Sequence, residues 1–293
     1  MRILRFLIVL AVIGLAVFWW ITRPEYITDA DIEGITGDPV VGHTVFLAAG
    51  CASCHAAENA SGDDKLKLAG GRKFPSDFGT FIAPNISPDP DFGIGGWSDA
   101  EIVTAVMKGV SPSGQHYYPA FPYNAYNKAN VEDIVDLVAY LRTLPPVATP
   151  SEEHEVGFPF NIRRSLGGGK FLFVSTDWVL EDSDSEEVLR GRYLVEAMAH
   201  CGECHTPRNP LGGLNKSAWL GGAPIPGTKN GKTPGISPDV FDWSEGDIVE
   251  YLTSGFTPEF DSAGGHMVEV IENMAELPDA DRAAIAAYLK ALP

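Results

Sequence analysis

The pentapeptide Cys51-Ala-Ser-Cys-His55 returns 150 residues later as Cys201-Gly-Glu-Cys-His205. Any fold of this chain must place that cluster of two thiols and one imidazole twice. The surrounding text repeats as well. Ile86-Ser-Pro-Asp89 returns as Ile236-Ser-Pro-Asp239, Trp97-Ser-Asp-Ala-Glu-Ile102 as Trp243-Ser-Glu-Gly-Asp-Ile248, and Tyr140-Leu-Arg-Thr-Leu-Pro145 as Tyr288-Leu-Lys-Ala-Leu-Pro293. The register shifts between first residues are 150, 150, 146 and 148. Ordered matches with so little drift mean a duplicated unit with short insertions between fixed landmarks.

Each copy reads as mainly helical. Gly42 to Ala49 and Gly191 to Ala199 are short apolar segments running into the cysteine pairs. Ser98 followed by Glu101, and Ser244 followed by Asp247, have the serine-to-acid spacing of a helix N-terminus. From Val131 to Leu144, and from Asp279 to Leu292, apolar residues recur at helical spacing. Asp279 and Asp281 in the first turn of the last helix, and Lys290 in its final turn, suit the helix dipole. Stretches rich in Gly, Pro and Asn read as loops, and no alternating run argues for an extensive sheet.

The four cysteines form two close pairs, which leaves none for a disulfide framework. Cys-x-x-Cys-His is the attachment signature of c-type haem: two thiols add across the porphyrin vinyl groups and the adjacent histidine becomes the proximal ligand. Zinc is the competing use of such residues. The wide separation of the motifs and their apolar, glycine-rich context argue against a zinc ribbon. The expected cofactors are two covalently attached haem c groups, held by Cys51, Cys54 and His55 and by Cys201, Cys204 and His205.

A sixth iron ligand tunes the potential, methionine raising it and histidine lowering it. In the second copy Met267 follows Gly264-Gly265-His266 on a loop before the last helix and is the expected ligand, with His266 and Met274 as alternatives. The 146 shift carries Met267 onto Phe121, which cannot ligate iron. The first copy therefore has His116 as its expected ligand, with Met107 or an open position as the alternatives. His43, His154 and His200 read as packing or solvated residues. Arg72 and Arg208 are candidates to pair with haem propionates.

From Ile3 to Ile21 the only charge is Arg5; Trp19 and Trp20 close the run, and Arg23 and Pro24 end it. A spanning helix needs about 20 apolar residues with aromatic side chains at the interface. Arg2 and Arg5 on the short side favour a cytoplasmic N-terminus and export of the remainder. A cleaved leader ending near Gly14-Leu15-Ala16 is the alternative. The net charge of −18, from 39 acidic and 21 basic side chains, argues against nucleic acid. It suits a soluble head, or one that docks on a basic protein patch. Between the copies, roughly residues 147–184, a segment without repeat counterpart holds Gly167-Gly168-Gly169 and an apolar patch from Phe171 to Val174. That patch is expected to pack one copy against the other.

Asn85-Ile-Ser-Pro-Asp89, Tyr118-Pro-Ala-Phe-Pro-Tyr123, Phe158-Pro-Phe-Asn-Ile-Arg163, Arg192-Tyr-Leu-Val195 and His200-Cys-Gly-Glu-Cys-His-Thr-Pro-Arg-Asn209 carry a resemblance. The chain after about residue 40 resembles the multihaem cytochrome c subunits of membrane-bound periplasmic dehydrogenases of the alcohol and gluconate type. It departs from them in having two haem motifs where three are common, and phenylalanine at 121 where many have methionine. The resemblance implies two tandem class I-like cytochrome c domains on one N-terminal transmembrane helix. The divisions are an anchor at 1–24, domain 1 at 37–146, a linker at 147–184 and domain 2 at 185–293. It implies an electron-transfer protein or subunit rather than a stand-alone catalyst, with its haem domains on the periplasmic side of the inner membrane. Its partners would be a dehydrogenase subunit or quinol-side donor and a cytochrome or oxidase acceptor. A dihaem peroxidase or sulfur-compound oxidoreductase, using an open first haem, is the alternative.

Overall fold

The computed structural model describes residues 1–293. Helix α1 (Arg2–Ile21) has 20 residues and no buried side chain. At 1.5 Å per residue it is about 30 Å long, the thickness of a hydrocarbon core. Thr22 ends it by returning its hydroxyl to the Phe18 carbonyl at 2.7 Å.

The first repeat contributes α2 (Pro39–Ala48), α3 (Cys51–His55), α4 (Asp99–Lys108), α5 (Tyr123–Tyr126) and α6 (Val131–Leu141). Strands β1 (Lys73–Ser76) and β2 (Gly79–Ile82) form a hairpin, and β3 (Glu155–Val156) from the linker adds antiparallel to β2. Helix α7 (Leu166–Phe173) follows. The second repeat supplies α8 (Glu186–Tyr193), which continues through a π turn at Leu194–Met198, then α9 (Gly202–His205) and the short pair β4 (Ala223–Pro224) and β5 (Lys232–Thr233). It ends with α10 (Glu245–Ser254), α11 (Met267–Ala275) and α12 (Asp279–Ala291). The chain is mainly helical, as expected.

The repeat is visible as matched physics. Asp38 caps α2 by accepting from Val40 N at 2.7 Å, with Pro39 at the first helical position. Both serine-to-acid spacings close as capping boxes, Ser98 with Glu101 and Ser244 with Asp247. In each half the helix entering the cysteine motif crosses the last helix of that half at a glycine. A Cβ on Gly42 would lie 2.0 Å from the Asp136 carbonyl oxygen, and one on Gly191 would lie 1.9 Å from that of Ala284. Only glycine permits so close a crossing.

The halves share one apolar core, which runs from Val45, Phe46 and Leu47 through Leu194 and Val195 to Ile285 and Tyr288. They are also joined by polar contacts. Glu196, on the π turn, is fully buried and accepts from Lys128 Nζ at 3.0 Å, Val179 N at 2.7 Å, Leu180 N at 3.2 Å and Tyr288 OH at 2.8 Å. One carboxylate thus binds the first half, the linker and the last helix. Tyr193 OH adds a bond to Asp133.

The three glycines of the linker lie in α7. Phe171 and Leu172 are each 63% exposed, while Phe173 and Val174 are half-buried, the Phe173 ring filling the space beside Gly213 of the second half. The helix touches both halves and also packs at the foot of α1. Arg164 donates to the Trp19 carbonyl at 2.6 Å and to Thr22 Oγ1 at 2.9 Å, with its guanidinium over the Trp19 ring. Lys170 Nζ caps α4 through the Lys108 and Gly109 carbonyls at 2.5 and 2.7 Å.

Candidate functional site

Two sites follow from the repeat. In the first, Gly50 takes a left-handed turn (φ 61°) that reverses the chain into α3. Cys51 and Cys54 then lie one turn apart, and His55 is buried. His55 Nδ1 donates to the Pro84 carbonyl at 2.8 Å. In the second site His200 takes the left-handed turn (φ 42°), Cys201 caps α9, and His205 Nδ1 donates to the Pro234 carbonyl at 2.8 Å. In both, the accepting proline stands 29 residues after the histidine.

These bonds select the neutral tautomer protonated at Nδ1 and leave the Nε2 lone pair free for a metal. Burial works in the same direction: it lowers the pKa of His55 and of His205, which keeps both imidazoles uncharged. It pushes the Cys51 and Cys201 thiols up to about 12, and Cys54 up to about 11. No grouping of three His, Cys, Asp or Glu side chains able to hold a metal ion occurs in the chain. Two thiols one helical turn apart and a single oriented imidazole fit a covalently attached haem at both sites.

The two motifs face each other across the join. Burial dominates the rise of the Cys54 thiol, but Cys204 lies near enough to add to it. Arg72 donates to the Ser53 carbonyl at 2.5 Å and grips Glu269 on α11 at 2.6 and 2.8 Å. Asn273, one helical turn further on, donates to Ser53 Oγ at 2.9 Å. Helix α11 of the second half thus rests on the cysteine motif of the first.

The loops opposite the histidines keep register. After α4 the left-handed Gly109 leads to a bridge between Val110 and His116; after α10 the left-handed Gly255 leads to one between Phe256 and Ser262. Tyr117 N donates to Gly109 O, and Ala263 N to Gly255 O, both at 2.8 Å. Every member of the second set stands 146 residues after its partner. That register pairs Phe121 with Met267. Met267 opens α11, partly buried against the core, while Met274 is buried in the core and His266 is exposed beside Arg72 Nη2 at 3.3 Å. Phe121 packs between Tyr126 (ring centroids 5.6 Å) and Tyr117 (6.0 Å).

His116 is placed at the foot of α1. Its Nε2 donates to the Thr22 carbonyl at 2.9 Å, and a Cβ on Gly167 would come within 2.8 Å of it. Its repeat partner Ser262 is exposed. Met107 is buried on α4; its partner Thr253 is exposed and returns its hydroxyl to Val249 O at 2.7 Å. The His116 position therefore belongs to the outer side of the repeat, whereas Met107 is packed in the shared apolar core. In the first half that side is covered by the segment leaving α1, where Ile27 N donates to Thr104 Oγ1 at 2.9 Å, and by α7.

Arg72 pairs with Glu269 and Arg208 with Glu203. One expectation is corrected. His154 is not a solvated residue: its Nδ1 accepts from Ile82 N at 2.9 Å beside Phe81 and Tyr118. Pro84 and Pro234 were missed on sequence, although each lies two residues before the repeated Ile-Ser-Pro-Asp. Glu196 was missed as well, although an acid inside Leu194-Val-Glu-Ala-Met198 is conspicuous in an apolar run.

Comparison with known proteins agrees with this geometry. The Cytochrome c family model matches residues 40–145. A protein of Cereibacter sphaeroides named as a diheme cytochrome c-type is 53% identical over 94% of this chain and 92% of its own length. The fructose dehydrogenase cytochrome subunit of Gluconobacter japonicus is 40% identical over 86% of this chain and 52% of the subunit. The gluconate 2-dehydrogenase cytochrome c subunit of Pantoea cypripedii is 33% identical over 86% of this chain and 58% of the subunit. The chain thus spans little more than half the length of those two subunits. With oriented histidines, paired thiols and a relative this similar along nearly its whole length, the chain belongs to the c-type cytochromes.

Proposed function

We propose that this chain is a membrane-anchored dihaem cytochrome that passes electrons from a dehydrogenase or quinol-side donor to a downstream cytochrome or oxidase. Its two tandem domains, residues 37–146 and 185–293, each carry one haem c, through Cys51, Cys54 and His55 and through Cys201, Cys204 and His205. The observation that carries the reading is the pair of identical imidazole–proline bonds at 2.8 Å, each beside two thiols. When bound, each haem supplies a reversible one-electron couple.

The protein's part is to hold these groups still. Pro84 and Pro234 orient the two imidazoles, and burial keeps them neutral. Met267, which lies at the start of α11 rather than on a preceding loop, would hold the iron of the second haem together with His205. The contact of α11 with the first motif, through Glu269 and Asn273, keeps the two centres in a fixed relation suited to a relay. Helix α1, closed by Trp19 and Trp20, anchors the head on the periplasmic face of the inner membrane, and the acidic surface steers a basic redox partner.

Mass spectrometry of the purified full chain tests the cofactor reading, and a potentiometric titration tests the relay. Two covalent haems titrating as one-electron centres are expected. A chain that matures after export without covalent haem would overturn it.

A further inference from the structure

We infer that the first haem has no protein ligand opposite His55 and that this position takes up a small neutral ligand of the carbon monoxide type. The inference rests on the haem reading of Cys51, Cys54 and His55. It goes further by assigning one centre an exchangeable coordination position and the other none.

The register of the distal loops carries the argument. The Gly109 and Gly255 turns, the bridges Val110–His116 and Phe256–Ser262, and the bonds Tyr117 N–Gly109 O and Ala263 N–Gly255 O superimpose one loop on the other. Where the second loop delivers the thioether of Met267, the first delivers the ring of Phe121. A phenyl group has no lone pair to offer iron.

The remaining donors of the first half are committed or point elsewhere. His116 occupies an outward position of the repeat with its Nε2 bonded to the Thr22 carbonyl, and Met107 is packed into the apolar core on α4. His43 lies on the Tyr140 ring, and the His154 lone pair accepts from Ile82 N. Tyr126 spends its hydroxyl on the Ala49 carbonyl at 2.9 Å. Burial pushes the Tyr117 phenol up to about 12, so it is not available as a phenolate. The Phe121 face is therefore lined by aromatic rings. Carbon monoxide binds ferrous haem iron without needing a charged partner, so a face lined by aromatic rings can admit it.

The test uses the full chain with its haems, in detergent micelles or nanodiscs. Magnetic-resonance spectra of the oxidised protein should contain one high-spin and one low-spin centre. Carbon monoxide added to the reduced protein should shift one haem of the two. Phe121→Met should convert the high-spin centre to low-spin and abolish carbon monoxide binding, while Phe121→Leu, His116→Asn and Met107→Leu should leave both signals in place. Two low-spin centres in the unaltered protein, with no uptake of carbon monoxide, would overturn the inference without any variant. So would a new high-spin signal created by His116→Asn or Met107→Leu. Mass spectrometry finding no haem on Cys51 and Cys54 would instead sink the cofactor reading beneath it.

Discussion

Replacing Lys128 by methionine tests how the two halves are held. Lys128 and Glu196 are buried, with side-chain exposures of 7% and 0%. Methionine matches the lysine stem in length but removes the only cation bonded to Glu196. The carboxylate keeps Val179 N, Leu180 N and Tyr288 OH as donors, yet its charge is left uncompensated in an apolar setting. Breaking one side of a buried pair costs about 3–5 kcal/mol. For a protein of this size that lowers the melting temperature by roughly 6–20 °C, at about 2–4 °C per kcal/mol. Denaturant and thermal unfolding, followed by far-ultraviolet dichroism and by haem absorbance, measure it. Adding Glu196→Gln should restore part of the loss, because the charge that Lys128→Met strands is then gone. A loss under about 1 kcal/mol, or a double variant as weak as the sum of the singles, would refute the electrostatic account.

Three further outcomes are expected. Met267→Leu should lower the potential of one centre and convert it to high-spin, with Met274→Leu silent; an unchanged potentiometric titration would remove Met267 as a ligand. Burial lowers the pKa of His116, opposed by its bond to Thr22 and reinforced by Lys170 and Arg164. The unfolded chain therefore takes up this proton first, and stability should fall as pH drops below about 6.5 towards the lower folded value. Protonation would also add a buried N–H at Nδ1, which has no partner. Hydrogen exchange across residues 160–173 should report that loosening, and His116→Gln should flatten its pH dependence. With a net charge of −18, association with a basic redox partner should slow as salt shortens the screening length; stopped-flow rates independent of ionic strength would count against an acidic docking face.

Much of this was legible because the chain states it twice. The matched motifs, the capping serines and the final helices follow from local chemistry that is repeated. Even the positions of Pro84 and Pro234 are recoverable from the repeat once the motif's histidine is asked for an acceptor. What depends on contacts between the halves was not legible. Nothing in the local sequence says that Arg72 reaches Glu269, 197 residues away, or that Glu196 gathers donors from three segments. The setting of His116 was not legible for the same reason. Its residue type suits iron, but its surroundings come from Thr22 and Gly167, which belong to the anchor and the linker.

The bonds from Arg164 to Trp19 and Thr22 bear on how such a protein could be used. A globule hung from a flexible stalk can swing, and so ferry charge between stations. Here the chain returns 142 residues after Thr22 and lashes itself to the foot of its own helix. Under the proposed anchoring, that arrangement would make a fixed relay post at constant height, and redox partners would have to bring their own reach by diffusion or by mobile domains.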